Sequence, residues 1–230
     1  RLTEYTGAKY CITCANGTDA LQIALMAIGV GPGDEIITPA FSYIATAEAA
    51  ALLGAKPVYV DVDPVTFNIE PSLIEDKITS KTKAIIPVHL YGQSCDIEKI
   101  TKIARKYKLK VIEDCAQAQG AKFKNKFVGT FGEFGCFSFY PTKILGAYGD
   151  GGGVTTNNKN FLRPSEVRSL QGDSSKARKL LNYKTKVSLT DGIKKTYDYI
   201  KKRGTKEFNY HLSIEIDNDL TPETWKNKEI

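Results

Sequence analysis

The sequence predicts an α/β protein: a mainly parallel sheet flanked by helices. Three observations predict it. Short apolar, β-branched runs alternate with helical patterns of about ten residues through the first 160 positions, a rhythm that calls for crossover connections and parallel pairing. The run at 83–89 is apolar enough to be buried throughout, as a central parallel strand is. Asn16, Tyr43, Asp114 and Lys143 all stand just past the ends of predicted strands, the edge of an open parallel sheet where ligands bind.

Each element follows from its own residues. Residues 9–15 read as a first strand. Residues 17–28 form a helix, with Leu21, Ala24, Leu25 and Ile28 on one stripe. The glycines at 29, 31 and 33 break it. A strand at 35–39 precedes an alanine-rich helix at 44–53, which Gly54 ends. A strand at 56–61 and a short helix at 71–78 come next. The strand at 83–89 leads to a helix that Asp96 caps and that runs to about Tyr107, with Ile97, Ile100, Ile103 and Ala104 inward. Strands at 109–113, 134–139 and 152–156 complete the series.

Composition narrows the function classes. The 230 residues suffice for one core, or one core with an appendage. Apolar content of 42% and charged content of 25% are those of a globular protein. No run nears the roughly 18 consecutive apolar residues of a membrane span, and no charged-then-apolar leader opens the chain. It begins at Arg1, in what reads as mid-element, so a start further upstream is expected. The net charge of +6 divides into +1 over residues 1–162 and +5 over residues 163–230. The tail's lysines alternate with acids and apolar positions, as on a solvated helix, so nucleic acid is not the expected partner. Five cysteines at scattered spacing argue against a disulfide framework. Cys11 and Cys14 lie on a predicted strand, where that spacing points them to opposite faces. With two histidines in the chain no metal site is expected, and the thiols read as small core residues in a reducing cytoplasm.

Near Phe161 the rhythm stops. Two parts are expected: residues 1–160 as the motif-bearing domain, and residues 161–230 as a helical tail. The tail holds a lysine-rich segment and a helix from about Leu189 to Lys202 that Ser188 can cap. Its stripe is Ile193, Thr196, Tyr197 and Ile200. A loosely attached end is expected after Gly204.

Four segments suggest chemistry, and each also has an ordinary reading. Gly17-Thr18 sits where a strand turns into a helix, so its amides can hold a phosphate, with the Ser138 hydroxyl nearby; an ordinary cap by Asn16 or Thr18 is the alternative. Asp114 ends a buried strand and needs a partner. A pyridinium nitrogen is one, with Gln117 donating to a ring hydroxyl; helix capping with a surface glutamine is the alternative. Phe41 or Tyr43 can stack on a flat ring, or pack in the core. Lys143 stands in a glycine-flanked loop after the aromatic run Phe137–Phe139–Tyr140. A cationic, partly buried site would lower its pKa toward the neutral amine that imine formation needs, whereas most lysines are surface charge.

Together, residues 14–21, 111–117 and 138–152 resemble the motifs of DegT/DnrJ-type sugar aminotransferases, in order and with ordinary spacing. The resemblance covers about residues 1–160. It implies the large domain of the type I aminotransferase fold, truncated here, and pyridoxal 5′-phosphate as cofactor. It implies Lys143 as the Schiff-base lysine and Asp114 at the pyridine nitrogen. Gln117 then meets the ring hydroxyl, Gly17, Thr18 and Ser138 hold the phosphate, and Tyr43 stacks on the ring. The implied reaction is amination of a nucleotide-linked keto-sugar, with glutamate as donor, by a cytoplasmic homodimer in amino-sugar biosynthesis. The nearest likeness is to enzymes acting on the 3-oxo group of a UDP-linked amino-sugar acid.

Two departures stand against it. The family's N-terminal arm and C-terminal domain have no counterpart in the residues read, which leaves an inactive truncated or fused fragment as an alternative. Residues 163–177 and 187–201 instead resemble the C-terminal end of nucleotide-sugar epimerases and dehydratases of the extended short-chain dehydrogenase type. An NAD-dependent epimerase would need a G-x-G-x-x-G loop, and no glycines fit that spacing.

Overall fold

The computed structural model describes residues 1–161 and 187–204, together with Lys179 and Lys184. Within residues 1–166 a seven-stranded sheet forms: β1 (Tyr10–Cys14), β2 (Glu35–Pro39), β3 (Lys56–Val60), β4 (Thr82–Ile85), β5 (Lys110–Asp114), β8 (Phe134–Ser138) and β9 (Gly152–Thr156), in the order β1-β9-β8-β5-β4-β2-β3. A small hairpin, β6 (Lys122–Phe123) and β7 (Lys126–Phe127), stands apart from it. The helices of this unit are α1 (Leu2–Thr6), α2 (Gly17–Ala27), α3 (Ala45–Leu52) and α4 (Ile97–Tyr107). Among the described residues no helix is long and apolar enough to cross a membrane.

The strands read as apolar runs because both faces of the sheet are covered. Alternate residues serve opposite layers. Ile36, Ala84, Ile86 and Ile112 pack with Leu21, Ala24, Leu25 and Ala49 of α2 and α3. Their neighbours Ile37, Ile85 and Val111 pack with Ile97, Ile100 and Ala104 of α4. Ala20 and Ala24 of α2 and Ala49 and Ala50 of α3 are nearly solvent-free and let the two helices lie close over the sheet. Asp96 caps α4 as expected, accepting the Lys99 amide at 3.2 Å.

The sheet is mainly parallel, as expected: β2, β3, β4, β5 and β8 pair in parallel, while β9 runs antiparallel to both β8 and β1. A loop and not a helical crossover joins β8 to β9, so the chain can turn straight back. The helix expected at 71–78 is two 3₁₀ turns, Pro71–Leu73 and Glu75–Lys77, since so short a segment does not sustain an α-helix. Helix α1 and the β6–β7 hairpin were not anticipated; the hairpin turns at Lys124 and Asn125, both at positive φ.

In the second unit, helix α5 (Leu189–Arg203) matches the expected helix. Ser188 caps it: its Oγ accepts the Asp191 amide at 3.1 Å and donates to the Asp191 carboxylate at 2.7 Å. Ile193 and Tyr197, from the expected apolar stripe, are exposed. The epimerase-like residues 163–177, the lysine-rich segment up to 186 apart from Lys179 and Lys184, and the end after Gly204 lie outside the described residues.

Candidate active site

Strand β1 is antiparallel to β9 and so runs with β2, β5 and β8. The carboxyl ends of these four strands therefore meet at one edge. A cavity of about 370 Å³ opens there, lined by Asn16, Gly17, Thr18, Ser42, Tyr43, Thr46, Asp114, Gln117, Ser138 and Lys143 among others. All seven residues singled out from the sequence face this one space.

Asn16 is a helix cap, as the ordinary reading held. Its backbone is extended, and its side chain accepts the Asp19 amide at 2.8 Å. Its carbonyl accepts from Ala20 at 3.1 Å. Capping accounts for the third and fourth amides of α2 and leaves the first two. Among the described residues nothing accepts from Gly17 or Thr18, and both line the cavity. The cap thus coexists with a pair of free amides at the positive end of the helix dipole. Gly17 is required by space: a Cβ there would stand 3.2 Å from Ser138 Oγ. Gly152 has the same function beneath Asn16, whose carbonyl oxygen would meet a Cβ at 2.2 Å.

Asp114 is buried, and each of its oxygens has one donor. Oδ1 accepts the Ala116 amide at 3.1 Å, and Oδ2 accepts the Thr46 hydroxyl at 2.8 Å. Burial pushes its pKa above the usual carboxylate range, against the opposing pull of the Ala116 amide, the Thr46 hydroxyl and the Lys143 charge. Gln117 turns its Oε1 to the Tyr91 amide at 2.9 Å. That contact fixes the amide's orientation and leaves its NH₂ group for the cavity. Lys143 is half-buried in a loop that folds on itself: its amide donates to Tyr140 at 2.8 Å, and Ala147 donates to Phe139 at 2.8 Å. Among the described residues its Nζ has no hydrogen-bond or ion-pair partner. The choice between Phe41 and Tyr43 resolves by packing. Phe41 lies against Phe67, ring centroids 5.6 Å apart, and Tyr43 is left to the cavity.

The sequence reading missed the layer behind Asp114. Glu113 is fully buried and accepts four donors: the amides of Gly129 at 2.7 Å, Phe131 at 2.7 Å and Gly132 at 2.8 Å, and His89 Nε2 at 3.1 Å. His89 Nδ1 accepts the Cys95 amide at 3.1 Å, so its proton resides on Nε2 and goes to Glu113. Glu113, His89 and Cys115 bring possible metal-ligand atoms within 4.8 Å of one another, but the Glu113 oxygens are engaged with backbone amides. Thr46 was missed as well. Nothing local in the sequence signals either: Glu113 gains its partners only from the turn at 129–132, and Thr46 meets Asp114 only through tertiary packing.

This sheet, with its single reversed strand and its cavity at the carboxyl edge, has the architecture found in solved sugar-aminotransferase-family structures. The chain belongs to the DegT/DnrJ/EryC1/StrS aminotransferase family, whose sequence model matches residues 1–194. That match runs across much of the stretch likened above to epimerases.

The chain is 61% identical over 158 residues to the UDP-2-acetamido-2-deoxy-3-oxo-D-glucuronate aminotransferase of Pseudomonas aeruginosa, covering 69% of this chain and 44% of the relative. It is 53% identical over 176 residues to the dTDP-3-amino-3,6-dideoxy-alpha-D-galactopyranose transaminase of Aneurinibacillus thermoaerophilus, covering 76% and 48%. Among solved structures, NtdA from Bacillus subtilis with bound cofactor PMP superposes at a TM-score of 0.66 with 44% identity, over 70% of this chain and 36% of that one. The chain spans about half the length of the curated relatives it matches. The cofactor of this family is pyridoxal 5′-phosphate.

Proposed function

We propose that this chain binds pyridoxal 5′-phosphate in the cavity at the sheet edge and contributes the cofactor side of a nucleotide-sugar aminotransferase. The substrate is a nucleotide-linked keto-sugar, and glutamate is the amino donor. The observation that carries this reading is the convergence of Lys143, Asp114, Gln117 and the free amides of Gly17 and Thr18 on one cavity. The donor set fits the cofactor: a cradle kept open by a missing Cβ beside a serine, a buried acid, an amide donor and an unpaired amine.

Gly17, Thr18 and Ser138 would hold the phosphate, where amides and the helix dipole favour an anion. Asp114 would keep the pyridine nitrogen protonated, and Gln117 would donate to the ring hydroxyl. Tyr43 would cover the ring face. When bound, pyridoxal phosphate supplies an electron-accepting ring and a carbonyl carbon that exchanges amines. Lys143 would hold that carbon, and its Nζ would carry the proton to and from the substrate α-carbon.

The relatives' names support nucleotide-linked sugars as the substrate class, and the most similar of those described points to a UDP-linked 3-oxo sugar acid. A homodimer is supported by exposed apolar side chains, Tyr43, Ile44, Tyr91, Ile144 and Leu145, on the segments that line the cavity. Five free cysteines fit a reducing cytoplasm. For residues 163–203 the likeness to nucleotide-sugar epimerases rests on the motif alone.

The test is chemical. After incubation with pyridoxal phosphate and borohydride, peptide mass analysis is expected to find the cofactor on Lys143, and Lys143→Ala is expected to abolish the adduct. No adduct, or one unaffected by the substitution, overturns the cofactor assignment. Glutamate added before borohydride is expected to prevent trapping; failure at that step favours a chain that binds cofactor without turning over.

A further inference from the structure

We propose that Thr46 is the positioning residue of the Asp114 carboxylate, and that Ser42, Thr46 and Asp114 form a hydrogen-bond chain with a fixed order of protons. Its bearing on catalysis rests on the assignment of Asp114 to the cofactor's ring nitrogen. Thr46 Oγ1 lies 2.8 Å from Asp114 Oδ2 and 3.3 Å from Ser42 Oγ. A hydroxyl carries one proton and two lone pairs. An ionised carboxylate has no proton to give, so the Thr46 proton goes to Asp114. Ser42 must then donate to Thr46.

The chain is built by tertiary packing. Thr46 and Asp114 are 68 residues apart and meet because α3 lies against the end of β5. Helical threonines often return their proton to a carbonyl one turn back; this one delivers it to another element. A β-branched side chain has few rotamers in a helix, so Thr46 presents its hydroxyl at a fixed place. With the Ala116 amide on the other oxygen, the carboxylate is held at both ends by the framework. Its remaining lone pairs are left for a ligand.

Titration of Asp114 in the full chain without cofactor tests this, followed by ¹³C-carboxyl NMR, with Asp114→Asn identifying the resonance. The titratable groups facing Asp114 are Lys143 from the β8–β9 loop, His89 beyond β4, Cys136 of β8 and Cys115 beyond its own strand. The substitutions at positions 42 and 46 remove none of them. A hydroxyl donated to a carboxylate favours the ionised form, so its loss raises the midpoint. Thr46→Val is expected to raise it by about one pH unit, Ser42→Ala by less, and Thr46→Ser is expected to restore the wild-type value. An unchanged midpoint in Thr46→Val overturns the positioning role. So does a Thr46→Ser shift as large as that of Thr46→Val, which would assign the effect to packing. No rise in Ser42→Ala overturns the proton order, and it does so even should Thr46→Val fail to fold. Because the titration needs no cofactor, it decides this inference separately from cofactor uptake by the wild-type chain.

Discussion

Gly17 lies so close to Ser138 that a Cβ on Gly17 would stand 2.6 Å from the Ser138 Cβ. The start of α2 and the end of β8 are thereby held together as the two sides of the proposed phosphate cradle. Alanine is the better helix former by about 1 kcal/mol, but the overlap costs about 1–3 kcal/mol because a backbone must shift. Gly17→Ala is therefore expected to lower cofactor affinity about tenfold or more, without raising the melting temperature. Absorbance titration with pyridoxal phosphate and a thermal melt check the two effects.

Asp114→Asn separates binding from chemistry. The amide retains the shape but cannot keep a pyridine nitrogen protonated. Cofactor attachment to Lys143 is expected to survive, while the single-turnover rate with glutamate falls by about 100-fold or more. Loss of attachment itself would point to a structural role for the carboxylate.

The same substitution gives a pH signature in the cofactor-free chain. Burial raises the folded-state pKa of Asp114, so the folded chain binds its proton more tightly than the unfolded chain does. This group's contribution to stability is greatest below about pH 4, the unfolded value, and falls as pH rises through the folded pKa. The stability of Asp114→Asn relative to wild type is therefore expected to improve from pH 4 toward neutrality. Urea denaturation across that range measures it, and a difference independent of pH would contradict the buried-carboxylate account.

Glu113 secures the floor of the site. Its removal leaves three backbone amides and His89 without an acceptor in a dry environment. Glu113→Ala is expected to cost about 3–5 kcal/mol, the range for breaking a buried charged network, read as a lower urea midpoint. A loss below about 1 kcal/mol would mean that water replaces the carboxylate there.

The thiols should be inert in the folded state. Burial pushes Cys115 up to about 12 and Cys14 to about 11, and lifts Cys136 well above the usual thiol range. Thiolate is the reactive form, so alkylation at neutral pH is expected to miss these three until denaturant is added. Mass analysis of the native and denatured reactions distinguishes them.

Most of the framework is legible in sequence because its signals are local. The apolar runs of β2 and β5, the Asp96 cap and the alternation of strand with helix depend on near neighbours. The direction of β9 is not local, since it depends on a loop with no periodicity. The choice of Tyr43 over Phe41 is set by Phe67, which is distant in the sequence and adopts positive φ. Thr46 looks like any helical threonine until α3 is laid on the sheet. Glu113 reads as one more acidic residue until the turn at 129–132 brings three amides to it. The residues facing the cavity could be picked out by type and spacing; those that hold them in place could not.

The pairing of β1 with β9 joins residues 10–14 to residues 152–156, and β9 is the only sheet neighbour of β1 among the described residues. On the ribosome, the segment that carries Asn16 and Gly17 emerges early but has no strand to dock on until Thr156 has been made. Closing so long a loop is slow. The phosphate cradle is therefore expected to be among the last parts of the domain to form, and a nascent chain halted before Gly152 should present β1 as an unpaired edge.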